Sequence, residues 1–269
     1  MPEGHVIHAL ARDLNAAFAG EQVHVSSPQG RFAPEALLLD ARSFLHADAR
    51  GKHLFLYFDS PHIIHIHLGL IGKFKIHPLA EPQGIVRLRI NDERTAADLH
   101  GPQWCRLIED ADPILASLGN DPITGQLDEA ILAKAMRSTR SVGSLLMDQK
   151  LFAGVGNIYR AEVLFRHNIS PFTEGRSLTR AQWLLIWEDL VDLMRHGTDT
   201  GRLDTVYPEH MPEAMNRPPR KDDHGGEVYV YRRAGLPCYI CATPIAETQM
   251  EGRNLFYCPH CQPQGRRRR

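Results

Sequence analysis

Apolar side chains recur at three- and four-residue intervals between Gly4 and Phe18, at Ile7, Leu10, Leu14 and Phe18. That spacing predicts an amphipathic helix, with Gly20 placed to stop it. The pattern then changes to period two. The stretches "KHLFLYF", "HIIHIHLGLIGKFKI" and "GIVRLRI" alternate, are rich in β-branched and aromatic residues, and break at "DSP", "AEPQG" and "NDERT". Several short strands behind one helix predict an antiparallel β-sandwich with flanking helices over residues 1–118. A Gly, Pro and Asn stretch, "GNDPITGQ", reads as a linker at 119–127. Helical periodicity follows in "LDEAILAKAMR", "SVGSLLMDQKLF", "NIYRAEVLFRHN" and "LTRAQWLLIWEDLVDLMRHG". From 196 to about 226 the chain is polar and proline-bearing and is expected to form a long mobile loop. The helical domain is therefore placed at 128–225, a compact cysteine-bearing segment at 226–265, and a basic tail at 266–269. The whole is an α+β chain.

With 43% hydrophobic residues over 269 positions there is material for more than one packed domain. The formal net charge of -1 means that any nucleic-acid partner must be held by a local patch and not by a global field. No apolar run is long enough to cross a bilayer, and the start lacks the pattern of a secretion signal. A cytosolic protein with no membrane partner is expected.

Cysteine placement changes the picture most. Cys105 is solitary, whereas Cys238, Cys241, Cys258 and Cys261 form C-x2-C, sixteen residues, C-x2-C. In a reducing compartment this spacing predicts one structural Zn2+ held by four thiolates, with a β-hairpin between the knuckles. Gly154 and Gly156, in "DQKLFAGVGNIYRAEVLF", allow a tight turn between helices. The amides of Asn157 and Ile158 would then face outwards at a helix N-terminus suited to phosphate, although a plain tight corner explains the glycines as well. His5 and His8 on the first helix, and His65 and His67 on one strand face, are expected to be satisfied histidines in preference to a second metal site.

"MPEG" at the start, "AGVGNIYRAEVLF" in the middle and "GRNLFYCPHCQ" at the end occur in order over essentially the whole chain. Together they resemble the formamidopyrimidine-DNA glycosylase and endonuclease VIII family, and the opening resembles the endonuclease VIII branch more closely. The resemblance implies a β-sandwich, a helical domain with a helix-two-turn-helix, and a β-hairpin zinc finger. It implies a bifunctional DNA glycosylase and abasic-site lyase of base excision repair, acting as a monomer on damaged DNA and excising oxidised pyrimidines with β,δ-elimination. Pro2, exposed by removal of Met1, becomes the secondary-amine nucleophile. Glu3 takes the proton-transfer role, where helix N-terminal electrostatics would otherwise account for an acid. Lys52 matches a phosphate-contacting catalytic lysine, and Leu70, with Ile71 beside it, matches the wedge that fills the vacated base stack; a core strand residue is the alternative there. Asn157 and Arg253 match the phosphate clamps.

Two departures stand out. Val6 occupies the neighbourhood where endonuclease VIII carries a second acid, and "DLHGPQWC" lacks the arginine and phenylalanine of the oxidised-purine branch. A relative that binds damaged or abasic DNA, with lyase activity but little base excision, is the competing expectation. A hydrolase with an N-terminal nucleophile would need Ser, Thr or Cys at that end and leaves the finger unexplained.

Overall fold

The structure is a computed structural model that describes residues 2–221 and 226–263. It divides into two compact units, Met1–Ser117 and Leu118–Arg269.

The first unit opens with helix α1 (Gly4–Phe18), which buries Ile7, Ala11, Leu14 and Phe18. Ala19 turns the chain out of the helix and Gly20 follows in the left-handed region at φ 86°. The remaining elements are β1 (Gln22–Ser26), α2 (Ala33–Leu37), β2 (Arg42–Arg50), β3 (His53–Phe58), β4 (Ile63–His67), β5 (Lys73–Pro78), β6 (Val86–Asn91), β7 (Thr95–His100), β8 (Trp104–Ile108) and α3 (Asp112–Ala116). The strands run in the order β5-β7-β6-β1-β2-β3-β4-β8, and the pairings are antiparallel. Strand β1 serves both halves: Gln22 and Val23 pair with β2, while His24 to Ser26 pair with β6. Val23 and Val25 share one core with Leu54, Leu56, Ile64 and Ile66 from one half and Leu88, Ile90 and Leu99 from the other. The two halves therefore cover a common interior, which is the expected sandwich. Cys105 is buried there, and desolvation pushes its thiol up to about 12, so it is inert.

The second unit contains α4 (Glu129–Met136), α5 (Val142–Leu145), α6 (Asn157–Arg166), α7 (Arg180–Thr200), β9 (Ala246–Met250) and β10 (Arg253–Tyr257). Thr179 and Gln182 close a capping box at the start of α7. One core joins Trp183, Ile186 and Leu190 of α7 and Ile158, Val163 and Phe165 of α6 to Ile245, Phe256 and Cys258 of the cysteine-bearing segment. The finger is thus packed into the same interior as the helices.

Two sequence expectations are corrected here. The 119–127 stretch is not a loose connection. Asn120 and Asp121 are buried, the Asn120 amide donates to the Leu151 carbonyl at 3.0 Å, and Asn120 accepts from Ala153 at 2.8 Å. Its turn residues shape a fixed path across the α5–α6 connection. Helix α7 continues to Thr200 and ends at Gly201, and the chain beyond is tied to the fold at several points. Leu203, Thr205 and Val206 are buried, the Arg166 guanidinium lies 4.0 Å over the Tyr207 ring, and Arg217 pairs with Glu227 at 2.7 Å. A polar composition conceals the two pairings, since each is made by an arginine. Residues 222–225, the rest of the expected loop, lie outside the described residues, as do Met1 and the arginine tail.

Candidate functional site

In the first unit, Pro2 is half-buried and leads into Glu3, which is the N-cap residue of α1 and fully buried. The Glu3 carbonyl accepts from Val6 at 3.0 Å, but its side chain makes no capping hydrogen bond. Helix α1 packs against β2 and β3. Lys52 sits between those two strands, in the turn bounded by the Arg50–His53 pair, with Gly51 left-handed at φ 58°.

Leu70 and Ile71 are 62% and 79% exposed, in the turn between β4 and β5. This removes the alternative of a core strand residue for Leu70. The turn is tightly built: the Gly72 amide donates to the Leu68 carbonyl at 3.1 Å, and a Cβ on Gly72 would lie 2.3 Å from that oxygen. Two large apolar side chains thus stand in water on a fixed mount.

The strand histidines are satisfied, as expected. His53 Nδ1 and His65 Nε2 share a hydrogen bond of 2.9 Å. Burial holds both rings down to about 4, helped for His53 by His67 and Lys52 and for His65 by His53 and Arg106. His5 is buried on α1. Among the described residues, the one group of three or more His, Cys, Asp or Glu placed to hold a metal is Cys238, Cys241, Cys258 and Cys261.

Those four Sγ atoms all lie within 4.8 Å of one another. A set of four convergent thiols fits a tetrahedral zinc ion, and the chain carries one structural zinc site. Gln262 ties the second knuckle to the helices: its Oε1 accepts from the Cys258 amide at 2.9 Å, and its Nε2 donates to the Ile169 carbonyl at 2.9 Å. The expected hairpin is present as β9 and β10, joined by Glu251 and Gly252 at φ 51° and 71°, a pair of left-handed residues that suits a two-residue hairpin turn. Arg253 follows that turn and is exposed.

Asn157 is tied to the hairpin. The start of α6 packs against β10, so Asn157 is only 5% exposed and Ile158 1%. Asn157 Nδ2 donates to the Asn254 carbonyl at 2.8 Å, and its Oδ1 accepts from Arg160. Asn157 and the hairpin that carries Arg253 are thereby brought together, whereas Pro2, Glu3, Lys52 and Leu70 belong to the other unit.

Sequence reasoning missed three positioning residues: Arg160, Glu162 and Gln262. Arg160 and Glu162 are fully buried in α6. Glu162 Oε1 accepts from the Val230 and Tyr231 amides at 2.9 and 2.8 Å, and its Oε2 accepts from the Tyr229 amide and Thr205 Oγ1 at 2.7 and 2.6 Å. The available signal was a helix, "NIYRAEVLF", with no wholly polar face to present to water.

Comparison with known proteins agrees with this arrangement. Residues 1–103 match the formamidopyrimidine-DNA glycosylase N-terminal domain, residues 118–206 the formamidopyrimidine-DNA glycosylase H2TH domain, and residues 235–264 the zinc finger found in FPG and IleRS. Endonuclease 8 1 of Mycobacterium tuberculosis is 43% identical, over 97% of this chain and 100% of its own length. The chain belongs to the formamidopyrimidine-DNA glycosylase and endonuclease VIII family. It is a DNA glycosylase of base excision repair, from a family of glycosylases that are also abasic-site lyases. Formamidopyrimidine-DNA glycosylase of Thermus thermophilus is 30% identical over 98% of this chain and 100% of its own. Two solved structures share the fold: MutM in complex with DNA containing carbocyclic 8-oxo-G, and Lactococcus lactis Fpg with DNA containing an abasic site. The TM-scores are 0.79 and 0.80 at 22% and 21% identity; each covers 100% of its own chain and 98% and 97% of this one. No helix among the described residues is long and apolar enough to cross a membrane.

Proposed function

We propose that this glycosylase excises oxidised pyrimidines from damaged DNA and then cleaves the strand at the resulting abasic site, working as a cytosolic monomer. After removal of Met1, the Pro2 nitrogen attacks the sugar C1′ and the bond to the damaged base breaks; the C1′–O4′ bond then opens with a proton delivered to O4′, leaving a ring-opened iminium. A secondary amine at a chain terminus has a pKa near neutrality, so a usable fraction is unprotonated. Glu3 transfers protons between the sugar and the departing base, and Lys52 contacts phosphate next to the reacting nucleotide. The iminium withdraws electrons from C2′; loss of that proton expels the 3′ phosphate, and a second elimination expels the 5′ phosphate. Leu70 fills the stack vacated by the extruded nucleotide. Arg253 and the start of α6 at Asn157 hold backbone phosphates on a surface that reads no sequence.

The observation that carries this reading is the buried Glu3 carboxylate directly beside Pro2, unused as a helix cap. Borohydride added during turnover reduces the iminium and links the protein to DNA. Protein lacking Met1 is expected to form this adduct with thymine-glycol DNA and with abasic DNA, and Pro2→Gly, whose terminal amine is primary, to lose most of the base excision. Glu3→Gln should slow base excision by about a hundredfold or more. Undiminished base excision by Pro2→Gly would remove Pro2 from the mechanism. An adduct with abasic DNA alone favours the competing reading, lyase activity with little excision, which the absence of an acid at Val6 motivates.

A further inference from the structure

The exposed turn that carries Leu70 is held from behind by an aromatic row on the sheet. Strands β3, β4 and β8 lie side by side, with His65 opposite Phe55 and Arg106, and His67 opposite Trp104. On this face the His67 ring stacks on Trp104 at 4.5 Å and 28° and meets His53 edge-on at 5.3 Å. His53 in turn stacks on His65 at 5.1 Å, and His65 on Phe55 at 4.9 Å. Arg106 lies 4.9 Å over the Trp104 ring. His67 Nδ1 accepts from the Gly69 amide at 3.1 Å, and the His67 carbonyl accepts from the Gln103 amide at 2.9 Å. Gly69 is left-handed at φ 70°, and a Cβ there would lie 2.8 Å from Gln103 Cβ. Leu68, Gly69 and Gly72 are thus fixed by two hydrogen bonds, a backbone conformation that favours glycine and a facing side chain, while Leu70 and Ile71 project from between them.

We infer that His67, gripped between His53 and Trp104, is a positioning residue that latches the Leu70 turn through the Gly69 amide and so readies it to enter the base stack. The inference rests on the wedge role proposed for Leu70. An acceptor at Nδ1 requires that nitrogen to be unprotonated, with the ring proton of the neutral form on Nε2. The titratable and charged groups around the ring are Lys52 from the β2–β3 turn, His53 from β3, His65 on its own strand and Arg106 from β8; of these, Lys52 disfavours the protonated ring. Burial and then Lys52 lower the His67 pKa, while the Gln103 side chain raises it. The latch is therefore closed above this lowered value and opens as pH falls through it.

The test uses the full-length, zinc-loaded protein. An asparagine at position 67 can still present Oδ1 to the amide two residues on, as in an Asx turn, whereas leucine cannot. Hydrogen exchange at the Gly69 amide, read as a protection factor without DNA, should quicken about three- to tenfold in His67→Leu. His67→Asn should stay within about twofold of the parent. Acid should lower Gly69 protection in the parent and leave His67→Asn unchanged. On lesion duplexes with 2-aminopurine beside the lesion, His67→Leu should lose the fluorescence rise to the extent that Leu70→Ala does, and His67→Asn should retain it. Unchanged Gly69 protection in His67→Leu overturns the latch. Loss of protection together with an undiminished 2-aminopurine signal in both His67→Leu and Leu70→Ala overturns the wedge reading, and with it the purpose assigned to the latch.

Discussion

Removing one charge from α6 should loosen the whole second unit. Glu162 holds the 229–231 segment through three backbone amides and Thr205 through its hydroxyl, with all four donors between 2.6 and 2.9 Å. Hydrogen bonds to a charged acceptor contribute about 1.5–3 kcal/mol each, but these share one carboxylate and do not add. In Glu162→Gln an oxygen at the Oε1 position keeps the Val230 and Tyr231 amides. The NH2 at the other position can donate to Thr205 Oγ1 but opposes the Tyr229 amide. One buried amide is then orphaned and the charge is lost from the rest, a cost of about 2–4 kcal/mol. For a unit of this size, each kcal/mol lowers Tm by about 2–4 °C, so the expected drop is roughly 4–16 °C. Glu162→Ala leaves every donor unpaired and should fall further. Calorimetry of zinc-loaded protein, with hydrogen exchange at Tyr229 to Tyr231, reads both effects. A Gln variant that melts within about 1 °C of the parent, with these amides still protected, would refute the hub role of Glu162.

Two other outcomes follow from the site. Because His53 and His65 are held down to about 4 from the ordinary 6.5, the folded state stays neutral where the unfolded chain takes up protons. Stability of the first unit is then complete above about pH 6.5 and falls as pH drops toward 4, by about 2 kcal/mol per ring after allowance for screening. Urea titration against pH should show this slope, and His65→Phe should flatten it; an equal slope in the variant would exclude the pair as its source. Chelation of zinc should strip amide protection from 246–257 and release the Gln262 tie to Ile169 while α7 keeps its protection; retention of the hairpin in metal-free protein would contradict this.

Much of the architecture was readable because apolar spacing records which face is buried. Ile7, Leu14 and Phe18 mark the inner stripe of α1, and the alternation in "HIIHIH" places Ile64 and Ile66 in the core. The two C-x2-C pairs were legible because four thiols at that spacing have few other uses. What escaped was burial achieved by polar groups. Periodicity assigns Arg160 and Glu162 to solvent, yet both are held within the fold, Arg160 through Nη2 by Asn157 and Asn254 and Glu162 by the amides of the bend at 229–231. The same blindness made a linker of Asn120 and Asp121 and a mobile loop of a segment pinned by Tyr207 and Arg217. Several of those partners lie tens of residues away, as Asn254 does from Arg160 and Tyr207 from Arg166, so no local window contains them. The exposure of Leu70 also needed the structure, since a leucine between two strands reads equally well as core.

Gly69 and Gly72 leave the backbone no freedom to vary, whereas the two side chains they display contribute little to the interior. Chemical identity at positions 70 and 71 is consequently uncoupled from whether the protein folds. That makes the tip an exchangeable bit on a permanent holder, where selection or an engineer could try aromatic, thioether or branched groups one after another without rebuilding the tool.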